Sequence, residues 1–198
     1  MTESFSDLLS ETVKQNEEFF KNDPYKKFLA EIVALADDSI DIVPKSQDMS
    51  DPRTAFWFHA LQPMSYGIFV SFISGNLLSC FMQLRLLVEY LALYFHSKHL
   101  SGDNLLEKFQ KIRDEYDDKS ISNLLRDFDK SSLKLWKSLS KWHHAIPYSA
   151  RIELATINEG AKLWSIIQPA FYSKEDESEL HELFIAVTDF RKLLNKYV

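Results

Sequence analysis

The 198-residue sequence predicts an all-α fold, a single helical bundle of about seven helices forming one domain over residues 1–198. Three observations predict it. Apolar residues recur at spacings of three and four through most of the chain, the period of one helix face. No segment alternates with period two for long, and no Asn-Gly or Asp-Gly hairpin turn occurs. Four glycines are too few for a turn-rich β protein, and the six prolines fall almost entirely where helices should start or stop. With 45% hydrophobic and 14% aromatic residues, the chain can build its own core. A chain of this size buries roughly 70% of its unfolded surface.

Each element follows from this pattern. Phe5, Leu8, Leu9 and Val13 give a first helix over about 3–20. Asp23-Pro24 pairs an N-cap acid with a first-turn proline and opens a second helix over 24–38, with Phe28, Leu29, Ile32, Val33 and Ala36 inward. A polar link from Lys45 to Ser50 leads to Asp51-Pro52, which caps a short helix over 52–62 that Pro63 closes. The longest element runs from about Ser65 to His99, bent at Gly75, as a mostly buried central helix. Ser101-Gly102-Asp103 ends it and caps a helix carrying Leu105, Phe109, Ile112 and Tyr116. Ile121, Leu124, Leu125 and Phe128 form the next stripe, then Leu135, Leu139 and Trp142. Residues 145–170, bracketed by Pro147 and Pro169, read equally as helix or irregular chain. Ser173 and Asp176, in capping-box spacing, open the last helix, with Leu180, Leu183, Phe184, Val187, Leu194 and Val198 on one side.

Composition narrows the function classes. The net charge of −6 argues against a generally basic nucleic-acid surface and leaves room for a local patch. A single cysteine, Cys80, excludes an internal disulfide and every cysteine-cluster metal site, and its apolar neighbours predict an inert thiol. The N-terminal residues hold no basic segment followed by an apolar run, so no secretory signal and a cytoplasmic location are expected. Residues 54–84 contain no Asp, Glu, Lys or Arg. Eighteen of them, GIFVSFISGNLLSCFMQL, would span a bilayer. However, Ser71, Ser74, Gly75, Asn76, Ser79 and Gln83 dilute the apolar signal and no basic cluster flanks it, so a core helix and no membrane contact are expected.

No G-x-G-x-x-G, P-loop, G-x-S-x-G or H-E-x-x-H motif is present, and no cofactor is expected. The candidate site rests on the segment FMQLRLLVEYLALYFHSKHL, residues 81–100. Arg85, Glu89, Ala92, His96 and His99 are spaced 4, 3, 4 and 3, and so share one face of a helix that is otherwise apolar. Charges on such a helix need water, each other or a ligand. One reading is a narrow solvated side with an Arg85–Glu89 pair; the other is a groove in which Arg85 holds an anion and a histidine moves protons. A second constellation, Ser140-Lys141-Trp142-His143-His144, ends a helix that also carries Trp136 and Lys137. Its histidines either cap helix carbonyls or complete an Arg/Glu/His site, with Trp142 available for stacking on a base. His96 and His99, at i and i+3, are half of a conceivable zinc site.

Two segments carry a family resemblance. LRLLVEYLALYF (84–95), with Arg85 and Glu89, resembles the L-R-x-x-x-E helix of uncharacterised helical proteins near the HEPN superfamily. LWKSLSKWHHA (135–145) resembles their Y-x-x-L-S-x-x-x-H segment, with Leu139, Ser140 and His144 in the matching places. The resemblance covers about an eighth of the chain. It implies a helical bundle, often dimeric, with Arg85, Glu89 and His144 as candidate catalytic residues of an RNase. The family's catalytic Arg, four to six residues, then His is missing from the late helices. The expectation is therefore a binding or interaction module that self-associates as a homodimer, with protein or RNA as further partner. The alternatives are metal-independent RNA cleavage or binding by Arg85, Glu89 and His144, and a helical small-molecule or metal binder using His96 and His99.

Overall fold

The computed structural model describes residues 4–45, 48–98, 100, 107–108, 111–112, 114, 121–143 and 171–198. Among these residues the fold is all-α, with no strand. Ser4 caps α1 (Phe5–Phe20) through a reciprocal capping box with Asp7, which holds the Asp7 carboxyl below its ordinary range. The side chain of Asn16, buried within α1, donates to the Ile73 carbonyl (3.0 Å) and accepts from the Tyr172 N–H (2.9 Å). Tyr172 in turn donates its hydroxyl to the Phe72 carbonyl at 2.8 Å. One buried amide thus ties α1 to the end of another helix and to the segment leading into the last one. Phe20, Phe72 and Tyr172 close the apolar side of that junction, the first two rings stacked at 4.7 Å.

α2 (Lys26–Asp41) starts later than its sequence suggests. The Asp23–Pro24 peptide is cis and lies in a turn, so Pro24 does not occupy the first helical turn. Asp51 does cap α3 (Pro52–Phe56), accepting from the Thr54 N–H at 3.0 Å. Pro63 does not end that helix. A π-helical turn (Trp57–Leu61) carries the chain into α4 (Gln62–Ile73), so residues 52–73 form one helical run. Pro63 is tolerated because it sits in the first turn after the π-segment, where the widened turn has already released an N–H partner.

The long element foreseen from Ser65 to His99 is two helices. Gly75, at φ 79°, reverses the chain between α4 and α5 (Leu77–Lys98), a left-handed geometry that glycine adopts without strain. Across this hairpin Gln83 donates to Ser71 (3.1 Å) and Ser71 donates to Ser79 (3.0 Å), while within α5 Gln83 also donates to Ser79 (2.9 Å). Gly67 lets the helices approach: a β-carbon there would lie 2.0 Å from Gln83 Oε1.

α5 packs against α3, α4, α6 (Ile121–Phe128), α7 (Lys130–His143) and α8 (Glu177–Tyr197). Leu84, Leu87, Val88, Leu91 and Ala92 are fully buried on it. By length and composition alone α5 could cross a membrane (mean hydropathy 1.4), yet here it is the central strut of the bundle. The α2–α4 pair lies on one side and α6–α7 on the other, with α8 touching α2, α5 and α7. The Ser173–Asp176 capping box forms, one short 3-10 turn before α8. Counting residues 52–73 as one run, the helices with described bounds number seven, and the helical residues 107–108, 111–112 and 114 lie apart from them. The foreseen cap at 101–103 and residues 145–170 lie outside them; of the stripe after residue 103, Ile112 is helical and buried.

Two polar clamps fasten α8. Arg191 meets Asp38 in a two-pronged pair (Nε–Oδ2 2.6 Å, Nη2–Oδ1 3.2 Å) and Glu31 through Nη1 at 2.9 Å, locking α8 to α2. Asp129, between α6 and α7, accepts from Lys196 (2.9 Å), the Tyr197 hydroxyl (2.7 Å) and the Ser131 hydroxyl and N–H. Burial alone would raise the Asp129 carboxyl, but the hydrogen bonds from Ser131, Tyr197 and Lys196 outweigh it and hold it well below the carboxylate range.

Candidate functional site

The polar stripe of α5 faces other helices. Arg85 and Glu89 retain only 20% and 19% of their side-chain exposure, and Ala92 between them and His96 is buried. α7 covers the first part. Trp136 donates its indole N–H to Glu89 Oε1 at 2.6 Å, and its ring lies 4.9 Å from the Arg85 guanidinium carbon. Arg85 Nε approaches the same carboxylate oxygen at 3.3 Å, as the i, i+4 spacing allows, without aligning a hydrogen bond on it. A cation stacked on an indole and paired with the acid that the same indole bonds is a closed set of three. α6 covers the rest: His96 Nε2 lies 3.3 Å from the Leu124 carbonyl, a contact that needs the proton on Nε2.

The second constellation is divided. Trp142 stacks on Phe81 of α5 with centroids 4.3 Å apart and planes 2° from parallel, and donates to Glu182 Oε2 of α8 at 3.2 Å. His143 ends α7; its side chain, with His99 and His144, lies outside the described residues. Among the described residues no group of three His, Cys, Asp or Glu side chains is placed to hold a metal ion. Cys80 is buried, which pushes its thiol far above its ordinary range, and its sulfur contacts the Asn76 and Ile68 carbonyls.

A concavity lies between α7 and α8, with a volume of about 510 Å³. Its floor is apolar: Phe81, Leu135, Leu139, Ala186 and Leu193. Its walls carry Lys134 and Lys141 from α7, and Lys192 and Lys196 from α8, together with Glu182 and Asp189. Lys141 pairs with Glu182 at 2.6 Å and Lys192 with Asp189 at 3.0 Å, while Lys134 has no carboxylate partner among the described residues. α7 holds Lys130, Lys134, Lys137 and Lys141 and no acid, a cationic helix in a chain of net charge −6.

The sequence marks Arg85 and Glu89 by their spacing, and Trp136 only as a neighbour of the histidines. The i+4, i+3, i+4 lysine spacing of α7 is the one local sign of the groove; nothing local marks Asp189 or Lys192 as its opposite wall.

No family model matches the chain, and no curated protein or solved structure shows significant similarity to it.

Proposed function

We propose that the chain is a helical interaction module that pairs with a second copy of itself through the outer face of the α4–α5 hairpin. One observation carries the reading: the charge-free residues 54–84 do not lie wholly inside. Val70 is 58% exposed, Tyr66 and Met82 are each about two-fifths exposed, and Leu86, just beyond the segment, matches them. These side chains flank the Ser71–Ser79–Gln83 seam, so they form one surface across the two helices. A helix apolar on its outer side as well as its inner one needs a cover.

The charge pattern favours a second copy as that cover. In a two-fold interface every patch meets itself, so a charged face repels and an uncharged one does not. The net −6 chain leaves this hairpin face without a charge, whereas the lysines of α7 would oppose one another in the same arrangement. Dimerisation also agrees with a HEPN-like kinship. Arg85, Glu89 and Trp136 serve within this reading as the strut that holds α5 against α7, with the outer side of α5 free for the partner.

Sedimentation of the wild type and Val70→Glu tests it. Val70 is exposed, so the substitution leaves the monomer folded, but it places two like charges in the joined face. The wild type should sediment at twice the 23.1 kDa chain mass and Val70→Glu as the single chain. Equal masses for the two proteins, single or double, would contradict the proposal; a wild type that floats with lipid vesicles would assign the face to a membrane instead.

A further inference from the structure

We propose that Phe58, set outward by the π-helical turn, is the anchor by which a second copy of the chain is held on the α4–α5 face. The inference rests on self-pairing through that face and names the residue that dominates it.

The π-turn lies between two fixed points. The Trp57 indole N–H donates to the Ser39 carbonyl of α2 at 2.7 Å, and Ala60 and Leu61 are fully buried in the core. What the turn leaves outside is Phe58, 55% exposed, and the exposed His59, whose ring meets that of Phe58 edge-on at 5.4 Å.

The extra residue of the turn decides which side chains share a row. In an unbroken α-helix each residue advances about 100°, so the residue two turns before Tyr66 on its row is His59, and Phe58 stands about 80° away. Here the Gln62 N–H reaches back five positions to the Trp57 carbonyl, so the turn absorbs one residue. The eight positions from Phe58 to Tyr66 then count as seven. Phe58 comes within about 20° of the Tyr66 row and His59 moves about 120° off it. Exposure agrees: Phe58 and Val70 are more than half exposed on either side of Tyr66, while Leu61, Ser65, Ile68 and Phe72 are buried along the inner side.

Size and charge then fit a second copy. Tyr66 to Val70 on α4 and Met82 to Leu86 on α5 each cover only about 6 Å of helix. Across two helices roughly 10 Å apart, that patch is far smaller than the roughly 800 Å² per partner that a stable pair buries. Phe58 lengthens the α4 side to about 17 Å. It also adds an exposed aromatic ring, a side-chain type that carries much of the energy of interfaces. It brings no charge with it, because no Asp, Glu, Lys or Arg lies between Arg53 and Arg85. Two copies of the lengthened face therefore meet without like-charge repulsion. The same absence leaves the face without the basic row that holds a helix on anionic lipid.

Sedimentation equilibrium of the full chain reads the dimer constant of the wild type, Phe58→Ala, His59→Ala and Phe171→Ala, and circular dichroism confirms that each folds. Phe171, 48% exposed at the approach to α8, controls for the loss of any exposed ring. Each dimer loses two Phe58 rings, so Phe58→Ala should weaken pairing about a hundredfold, tenfold for each ring. His59→Ala and Phe171→Ala should stay within about threefold of the wild type. The outcomes separate the anchor from the pairing itself. If the wild type is a dimer and Val70→Glu a single chain, but Phe58→Ala pairs as tightly as the wild type, the pairing stands and the anchor is overturned. A larger loss from His59→Ala than from Phe58→Ala, the result of an unbroken α register, overturns it as well, as do equal losses from Phe58→Ala and Phe171→Ala. A wild type that stays single at every concentration, or that floats with lipid vesicles, removes the pairing and the anchor with it.

Discussion

Replacing Trp136 with Phe tests whether the Arg85–Glu89–Trp136 set is a strut of the fold. The substitution keeps an aromatic ring beside Arg85 but removes the indole N–H that meets Glu89 Oε1 at 2.6 Å. A hydrogen bond to a charged acceptor contributes about 1.5–3 kcal/mol when enclosed. Glu89 keeps 19% of its exposure, so water replaces part of the loss and about 1–2 kcal/mol remains. The smaller ring also stacks less well on the guanidinium, adding a few tenths of a kcal/mol. At this chain length a total of about 2 kcal/mol lowers Tm by roughly 4–8 °C. Thermal and urea unfolding of Trp136→Phe, Glu89→Leu and the double variant measure it. The two losses should be non-additive, with a coupling of about 1 kcal/mol or more. A Trp136→Phe protein as stable as the wild type, or strictly additive losses, would refute the strut.

Gly67→Ala should destabilise the α4–α5 hairpin by about 1 kcal/mol despite alanine's better helix propensity, because the new methyl displaces Gln83 from Ser71 and Ser79. In a Gln83→Ala background, where neither the clash nor those hydrogen bonds exist, Gly67→Ala should no longer destabilise the hairpin, checked by urea unfolding of the four proteins. Asp129 predicts a pH dependence. Its folded carboxyl titrates below the unfolded value near 4, so it adds stability above about pH 4 that is lost as pH falls through and below that value. Asp129→Asn should flatten this part of the acid limb of a stability–pH curve; an unchanged slope between the two proteins would remove Asp129 from the account.

The helical period made most of the fold legible. The stripe of α6 (Leu124, Leu125, Phe128) and that of α8 (Leu180, Leu183, Val187, Leu194) are buried as their spacing demands. Punctuation was harder to read. Pro63 has the same local meaning whether it ends a helix or follows a π-turn, and only the packing of Ala60 and Leu61 into the core decides for continuity. Gly75 reads as a bend or as a reversal, and the difference rests on Gln83 finding Ser71 across the hairpin, a contact no local pattern encodes. The site divides in the same way. The 85/89/92/96 stripe is visible in one helix, but whether it meets solvent, ligand or protein depends on Trp136 and Leu124, which come much later in the sequence. The groove needs two helices far apart in the sequence, whose ends meet through the Asp129 and Glu182 contacts.

The most direct test of self-pairing is a distance between copies. Cys80 is buried and its thiol is held protonated, so a spin label placed at Met82→Cys or, on the outer side of α1, at Gln15→Cys reacts at the new site alone. Pulsed dipolar spectroscopy should give an intermolecular distance of about 20 Å or less from Met82→Cys, within two helix diameters, and a clearly longer one from Gln15→Cys. No intermolecular coupling from Met82→Cys at micromolar concentration, or a shorter distance from Gln15→Cys, would contradict pairing through the α4–α5 face.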